Sequence, residues 1–277
     1  MTKMAIETKS RIGSSYLPAK GEATRALPDA DKANHAKFAL IIPTLSESAN
    51  VRLLLPRIFA VLDRLPIDSE ILVVDDASGD GIEEAVAAVA RSEARVGLLK
   101  RQERGLAGAI LHGWRHTDAT LLGVMDADLQ HPPELIPQLV QSVLSGADLA
   151  LGSRYPSGSP LGWHPGRRLL SYLAIGLTRP LLGPAPQVSD PMSGYFVVRR
   201  ECIEGIDFET RGFKLLLEIL VRSRVRTVNE IPFTFGRRAA GRSKATPRVA
   251  FEYMRLLAKL YRAQRTARVP FQEAAAD

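Results

Sequence analysis

The chain has 277 residues, 45% of them hydrophobic and 24% charged, enough for one large domain with a substantial core or for two small ones. Its net charge of +7 fits a nucleic acid, an anionic membrane face or phosphorylated substrates as partner, and total charge does not choose among them. A single cysteine, Cys202, excludes an intramolecular disulfide and a cysteine-built metal cluster, and it fits a reducing, cytoplasmic setting.

Residues 1–36 carry Gly, Ser, Lys and Pro without a sustained apolar period and without the apolar run of a secretory leader, which predicts a disordered N-terminal tail. From Lys37 onward, short β-rich runs alternate with longer helical ones. Phe38–Ile42, Glu70–Val74, Arg95–Leu99, Leu121–Met125 and Asp148–Leu151 read as buried strands. Asn50–Leu65, Asp80–Arg91, Leu106–His116 and Pro133–Leu144 read as the helices between them, with Asn50 and Asp80 as candidate N-caps. The rhythm predicts an α/β fold with a Rossmann-like, mainly parallel sheet covered by helices on both faces.

After Gly152 the alternation stops. A loop rich in Gly, Ser and Pro, Ser153–Gly166, precedes an apolar helix starting near Arg167 and a turn at Gly183–Pro186. Then come D-P-M-S-G-Y-F, a helix Phe213–Arg222, a strand Arg226–Phe235 and a basic loop Gly236–Lys244. In the last periodic segment, Pro247–Arg262, Arg248, Glu252, Arg255, Lys259 and Arg262 form one helical stripe opposite Ala250, Tyr253, Met254, Leu257 and Tyr261. Such a helix, 247–265, either packs on its own domain or lies on a membrane surface, and residues 266–277 read as a flexible tail. No run reaches the roughly 20 apolar residues that span a bilayer; the nearest, Leu169–Thr178, stops at Arg179-Pro180.

In open α/β sheets ligands bind beyond the carboxyl ends of the strands. Pro43–Glu47, then Asp75 and Asp76, then Asp126 and Asp128 follow three predicted strands and so converge on one edge. The most informative run is D-A-D-L-Q-H-P-P-E, Asp126–Glu134. Two carboxylates flanking Ala127 suit a hard divalent cation held against a diphosphate, and Gln130 adds another oxygen. Pro132-Pro133 opens a helix whose positive end suits Glu134. The second half contributes Arg154, Arg167, Lys214, Arg238 and Lys244, in or beside loops and helix starts. Arginine grips phosphate through its planar fork and lysine through a point charge. Aromatic residues, at 6%, are too sparse for the stacking face of a nucleic-acid binder, so no nucleic-acid partner is expected.

In order, I-I-P-T-L-S-E, V-V-D-D-A-S-G-D-G, E-R-G-L-A, M-D-A-D-L-Q-H-P-P-E, G-S-R-Y, D-P-M-S-G-Y-F, G-F-K and F-G-R-R-A-A-G-R-S-K resemble the motifs of the inverting family-2 glycosyltransferases with a GT-A fold. The resemblance covers about Phe38 to Lys244, within a glycosyltransferase domain of 37–246, and is greatest to the branch making dolichol-phosphate (polyprenol-phosphate) mannose. It implies transfer of mannose from GDP-mannose to a polyprenyl phosphate with inversion, giving polyprenyl phosphate β-mannose. The alternative is transfer from a UDP-sugar to undecaprenyl phosphate.

Carried over by motif, Pro43, Thr44, Glu47 and Asp76 would cradle the nucleoside, with Gly105 and Leu106 near it. Asp126, Ala127, Asp128 and Gln130 would line the diphosphate, and Asp126, Asp128 and Gln130 would hold Mg²⁺ or Mn²⁺. Lys214, Arg238 and Lys244 would bind donor phosphates, while Arg154, Arg167 and Ser171 would receive the lipid phosphate, placing Asp128, Arg154 and Arg167 at the reacting centre. Asp190 and Ser193 would shape the sugar pocket. Ser46 stands where the family often has Asn, and Ala77 where a third acidic residue is common. The C-terminal transmembrane pair of some relatives is missing from the sequence, which resembles the shorter type that sits peripherally at the cytoplasmic face of a membrane, by a surface helix or a small membrane subunit.

Overall fold

Period-two alternation in the first strand sets the two faces of the molecule. In the computed structural model, which describes residues 36–103, 105–155, 173, 175–182, 188–208, 214–234 and 253–262, the elements follow in chain order. They are β1 (Lys37–Thr44), α1 (Ser48–Leu62), β2 (Asp68–Asp75), α2 (Ile82–Ala90), β3 (Val96–Lys100), α3 (Leu106–Arg115) and β4 (Leu121–Val124). A 3-10 turn (Pro133–Leu135) leads to α4 (Ile136–Leu144) and β5 (Leu149–Ser153). Next come α5 (Arg179–Leu182), β6 (Phe196–Arg199), α6 (Arg200–Ile203), α7 (Leu215–Arg222) and β7 (Val228–Pro232), and residues 253–262 are helical.

Phe38, Leu40 and Ile42 point into a core shared with α1, α2 and α4, while Ala39 and Ile41 point into a second core shared with α3, α7 and the 253–262 helix. The sheet, ordered β3-β2-β1-β4-β6-β5-β7, is thus covered on both faces as the sequence rhythm predicts. Helix α3 reaches β1 closely because Gly113 has no side chain: a Cβ there would stand 2.8 Å from Ile41 Cγ2.

Among the described residues, four of the six strand pairings are parallel, and the two antiparallel ones both involve β6. The sequence reading assigned no strand to Phe196–Arg199. Four residues after a Pro- and Gly-containing loop carry too little alternation to register, and β6 exists because β4 and β5 pair with it on both sides. The other expected strands, and the helices expected at Asn50–Leu65, Asp80–Arg91, Leu106–His116, Pro133–Leu144 and Phe213–Arg222, have counterparts within a few residues at their ends; α6 has no counterpart in the sequence reading, and the start of the helix expected near Arg167 and the turn at Gly183–Pro186 lie outside the described residues.

The expected caps need correction. Asn50 lies inside α1, and its amide donates to Glu47 Oε2 at 2.6 Å. Asp80 caps α1 rather than α2, since its Oδ2 accepts from the Ser48 N–H at 2.8 Å across two loops. Gly81, at φ +86°, begins α2 instead.

Of the two readings of the C-terminal helix, packing on its own domain describes 253–262: Tyr253, Leu256, Leu257 and Leu260 are buried in the second core. The buried face is therefore turned from the one expected, leaving Met254 and Tyr261 52% and 45% exposed. No helix among the described residues is long and apolar enough to cross a membrane.

Candidate active site

Three loops at the carboxyl edge of β1, β2 and β4 each turn through a non-glycine residue with positive φ: Ser46 at +61°, Ala77 at +54° and Leu129 at +63°. The left-handed region disfavours side chains other than Asn, Asp and Gly, so each turn stores strain where the chain must reverse sharply.

The first two loops are stitched together. Thr44 Oγ1 donates to Asp75 Oδ1 at 3.1 Å, the Asp76 N–H to the Thr44 carbonyl at 3.1 Å, and the Ser46 N–H to Ser78 Oγ at 2.7 Å. Asp76, expected to face the nucleoside, accepts from Arg101 Nη1 at 2.6 Å and from the Gly105 N–H at 2.7 Å. Arg101 is 10% exposed and lies over Gly108, where a Cβ would come within 2.7 Å of its Nη2. Sequence reasoning missed Arg101 because nothing in the primary structure separates it from the other 36 basic residues; only its distance from Asp76 does.

The carboxylate loop leaves the sheet at a defined point. The Met125 N–H still donates to the Ile41 carbonyl at 3.1 Å, but the Asp126 N–H turns to His131 Nδ1 at 3.2 Å. Asp128 Oδ1 accepts from the Gln130 N–H at 3.2 Å, an Asx turn that holds the loop from within. Asp126 stands over Gly194, where a Cβ would meet its Oδ2 at 3.0 Å. Pro43 and Thr44 at the end of β1, and Glu47, Asp76, Asp126, Ala127, Asp128 and Gln130 on the loops that follow β1, β2 and β4, thus lie at one sheet edge.

From the other half of the sheet, Arg154 follows β5 and makes a two-pronged pair with Asp190. Its Nε donates to Oδ2 at 2.7 Å and its Nη2 to Oδ1 at 2.8 Å, and Asp190 is fully buried. Ser193 Oγ donates to the Gly152 carbonyl at 2.7 Å, fixing the loop that carries Asp190 and Gly194. Asp190 and Ser193 therefore hold this loop and Arg154 in place, a structural task beside the sugar pocket expected of them.

Lys214 stands at the start of α7 with its Nζ 5.3 Å from the Tyr253 ring centre. Burial, reinforced by the positive Arg154, pulls its ammonium down to about 8, while Asp190 pushes the other way. Burial, with Arg154 adding to it, also takes the His131 imidazole down to about 3, so it is neutral at ordinary pH. Of the remaining cations expected at the site, Arg167, Arg238 and Lys244 lie outside the described residues, as does Ser171.

The donor set fits a hard divalent cation that shares its coordination with a ligand. Among the described residues no three His, Cys, Asp or Glu side chains form a complete metal cage. Two carboxylates at a strand end are what Mg²⁺-type sites use when substrate phosphates and waters fill the other positions. The edge as a whole can hold an anionic, phosphate-bearing ligand between carboxylate-bound cation and fixed basic side chains.

Residues 39–206 match the glycosyl transferase family 2 profile. The chain is 41% identical over 226 residues to a dolichol-phosphate mannosyltransferase of Pyrococcus furiosus, covering 81% of this chain and 63% of that protein. It therefore spans less than two thirds of that relative's length. It is 37% identical over 238 residues to a dolichol-phosphate mannosyltransferase of Saccharomyces cerevisiae, covering 81% of this chain and 87% of that one. In three dimensions it is similar to glucosyl-3-phosphoglycerate synthase of Mycobacterium tuberculosis, solved with Mn²⁺ and UDP-glucose. The TM-score is 0.62 at 20% identity, over 84% of this chain and 80% of that one, a likeness of fold. With its motifs, GT-A sheet and matched profile in agreement, the chain belongs to glycosyl transferase family 2.

Proposed function

We propose that the protein transfers mannose from GDP-mannose to a polyprenyl (dolichyl) phosphate with inversion at the anomeric carbon, using Mg²⁺ or Mn²⁺ and working at the cytoplasmic face of a membrane. The observation that carries this reading is the proximity of Arg154 to Asp126 on one side and to Asp190 and Lys214 on the other. The relatives' activities support the choice of mannose and of a lipid phosphate.

A phosphate acceptor arrives as an anion, so no side chain need remove a proton from it, in contrast to a sugar hydroxyl. What the residues must overcome is repulsion between two phosphate groups. Two unit charges ~5 Å apart repel by roughly 3 kcal/mol at an effective dielectric near 20. Arg154, kept rigid by Asp190, offers a preorganised cation to the acceptor, and Lys214 offers another to the donor. Asp126, Asp128 and Gln130 would hold the divalent cation, which when bound would supply charge neutralisation for a departing nucleoside diphosphate. Thr44, Glu47 and Asp76 orient the nucleoside, and Arg167, Ser171, Arg238 and Lys244 complete the phosphate sites.

The exposed side of the 253–262 helix favours a peripheral membrane position, because it presents Met254 and Tyr261 beside Arg255, Lys259 and Arg262. A small membrane subunit would serve the same end. The test is direct: purified protein given GDP-mannose, Mn²⁺ and dolichyl phosphate yields mannose in the lipid extract. Asp128→Asn lowers the rate by about 100-fold or more. No lipid product with any polyprenyl phosphate, or full activity in Asp128→Asn, rejects the proposal.

A further inference from the structure

His131 stands against the start of the carboxylate loop, its ring beside the Asp126 amide. Its ring is 3% exposed, stacked on Tyr195 at 4.9 Å between centroids and 22° between planes, and edge-on to Phe233 at 5.7 Å. Tyr195 is pinned in turn, its hydroxyl donating to the Pro132 carbonyl at 2.7 Å. The ring therefore has a fixed place, and its Nδ1 accepts the Asp126 N–H at 3.2 Å. That bond is made by the first amide beyond the β1–β4 ladder, at the point where the backbone leaves the sheet. A neutral imidazole that accepts at Nδ1 carries its proton on Nε2.

We infer that His131 is a positioning residue for the transfer reaction: by accepting the Asp126 N–H through Nδ1 while wedged against Tyr195, it aims the Asp126 carboxylate over Gly194 and toward the divalent cation. The inference rests on the reading of Asp126 and Asp128 as metal ligands. A residue serving only to fill space would be replaced equally well by any ring of similar size. A positioning residue is replaced by whatever sets an acceptor at the same point.

Three variants separate these roles. His131→Phe keeps the stacking ring and leaves the Asp126 amide without an acceptor. His131→Asn loses the ring but sets its Oδ1 near the place of Nδ1. His131→Gln carries the same amide one methylene farther out, so its acceptor overshoots.

Mn²⁺ binding to each full-length protein, with GDP present, is titrated by electron paramagnetic resonance, and thermal unfolding is recorded beside it. Loss of a residue that orients a metal ligand costs about 10- to 100-fold in metal affinity. His131→Phe and His131→Gln are expected to weaken Mn²⁺ by about 10-fold or more, and His131→Asn to stay within about 3-fold of the unaltered protein. If His131→Phe does not fold, the Asn and Gln pair, equal in polarity and differing in where the acceptor sits, makes the same distinction.

Unaltered affinity in His131→Phe, or equal affinity in Asn and Gln, overturns the role given to His131. Asp128→Ala is the control for the underlying reading. If it binds Mn²⁺ as the unaltered protein does, the metal assignment fails; if it loses Mn²⁺ while His131→Phe does not, only the His131 role fails.

Discussion

Burial and the neighbouring Arg154 guanidinium bring the Lys214 ammonium down to about 8, so in the free protein it is charged below that pH and neutral above it. An anionic phosphate favours the charged form and raises the value on binding. The sign follows: below pH 8 the cation is ready, and above it each binding event must also take up a proton. GDP affinity should therefore hold steady below about 8 and fall by up to about tenfold per pH unit above it, until the value in the complex is passed. Calorimetric titration at a series of pH values tests this, and Lys214→Arg, which stays charged throughout, should flatten the curve. At Ala77, exposed and at φ +54°, the backbone rather than packing sets the outcome of substitution. A β-branched residue is poorly tolerated there, so Ala77→Val should cost about 1–2 kcal/mol in urea unfolding, whereas Ala77→Gly should be neutral or stabilising.

Among the elements, α3 offers a case where two rules oppose each other. Gly113→Ala improves helix propensity by about 1 kcal/mol. The new Cβ, however, would lie 2.8 Å from Ile41 Cγ2 and 3.0 Å from its Cδ1, and Ile41 is fully buried, so it has little room to yield. Overpacking of this kind costs about 1–3 kcal/mol, so a net loss of about 1 kcal/mol in chemical denaturation is expected. The elements legible in the sequence were those with local signals. β1, β2 and β4 announce themselves by short apolar runs, and the loop Asp126–Glu134 by its paired carboxylates and prolines. β6 was illegible because its identity lies in its partners, β4 and β5, and four residues encode little by themselves. Arg101 and His131 escaped notice for the same reason: the meaning of each is a contact, to Asp76 and to Asp126, made across a turn that the sequence does not draw. The face of the last helix was misjudged because Leu256 and Leu260 compete with Met254 and Tyr261 for burial, and the shape of the core decides between them.

For the whole molecule, the uneven charge of the C-terminal helix makes a prediction about where the protein rests. Sedimentation with vesicles containing phosphatidylserine should pull the protein down at low salt, less so at high salt, and little with neutral phosphatidylcholine. Arg255→Gln or Lys259→Gln should each weaken binding by about fivefold, following roughly 1 kcal/mol per cation near an anionic leaflet. Equal binding to neutral vesicles would remove the charge argument. The placement of β6 has a further consequence, in the order of assembly. Because β6 lies between β4 and β5, the two strands that precede it in the chain, neither closes its hydrogen-bonding edge there until residue 199 has returned to the sheet. Gly194 beneath Asp126 and Asp190 against Arg154 arrive with the same stretch of chain. Long-range pairing of this kind forms late in folding. On a growing chain the contacts of Thr44 with Asp75 and of Asp76 with Arg101 would thus form before Asp126 meets Gly194 and before Arg154 meets Asp190, so that one half of the edge sets ahead of the other.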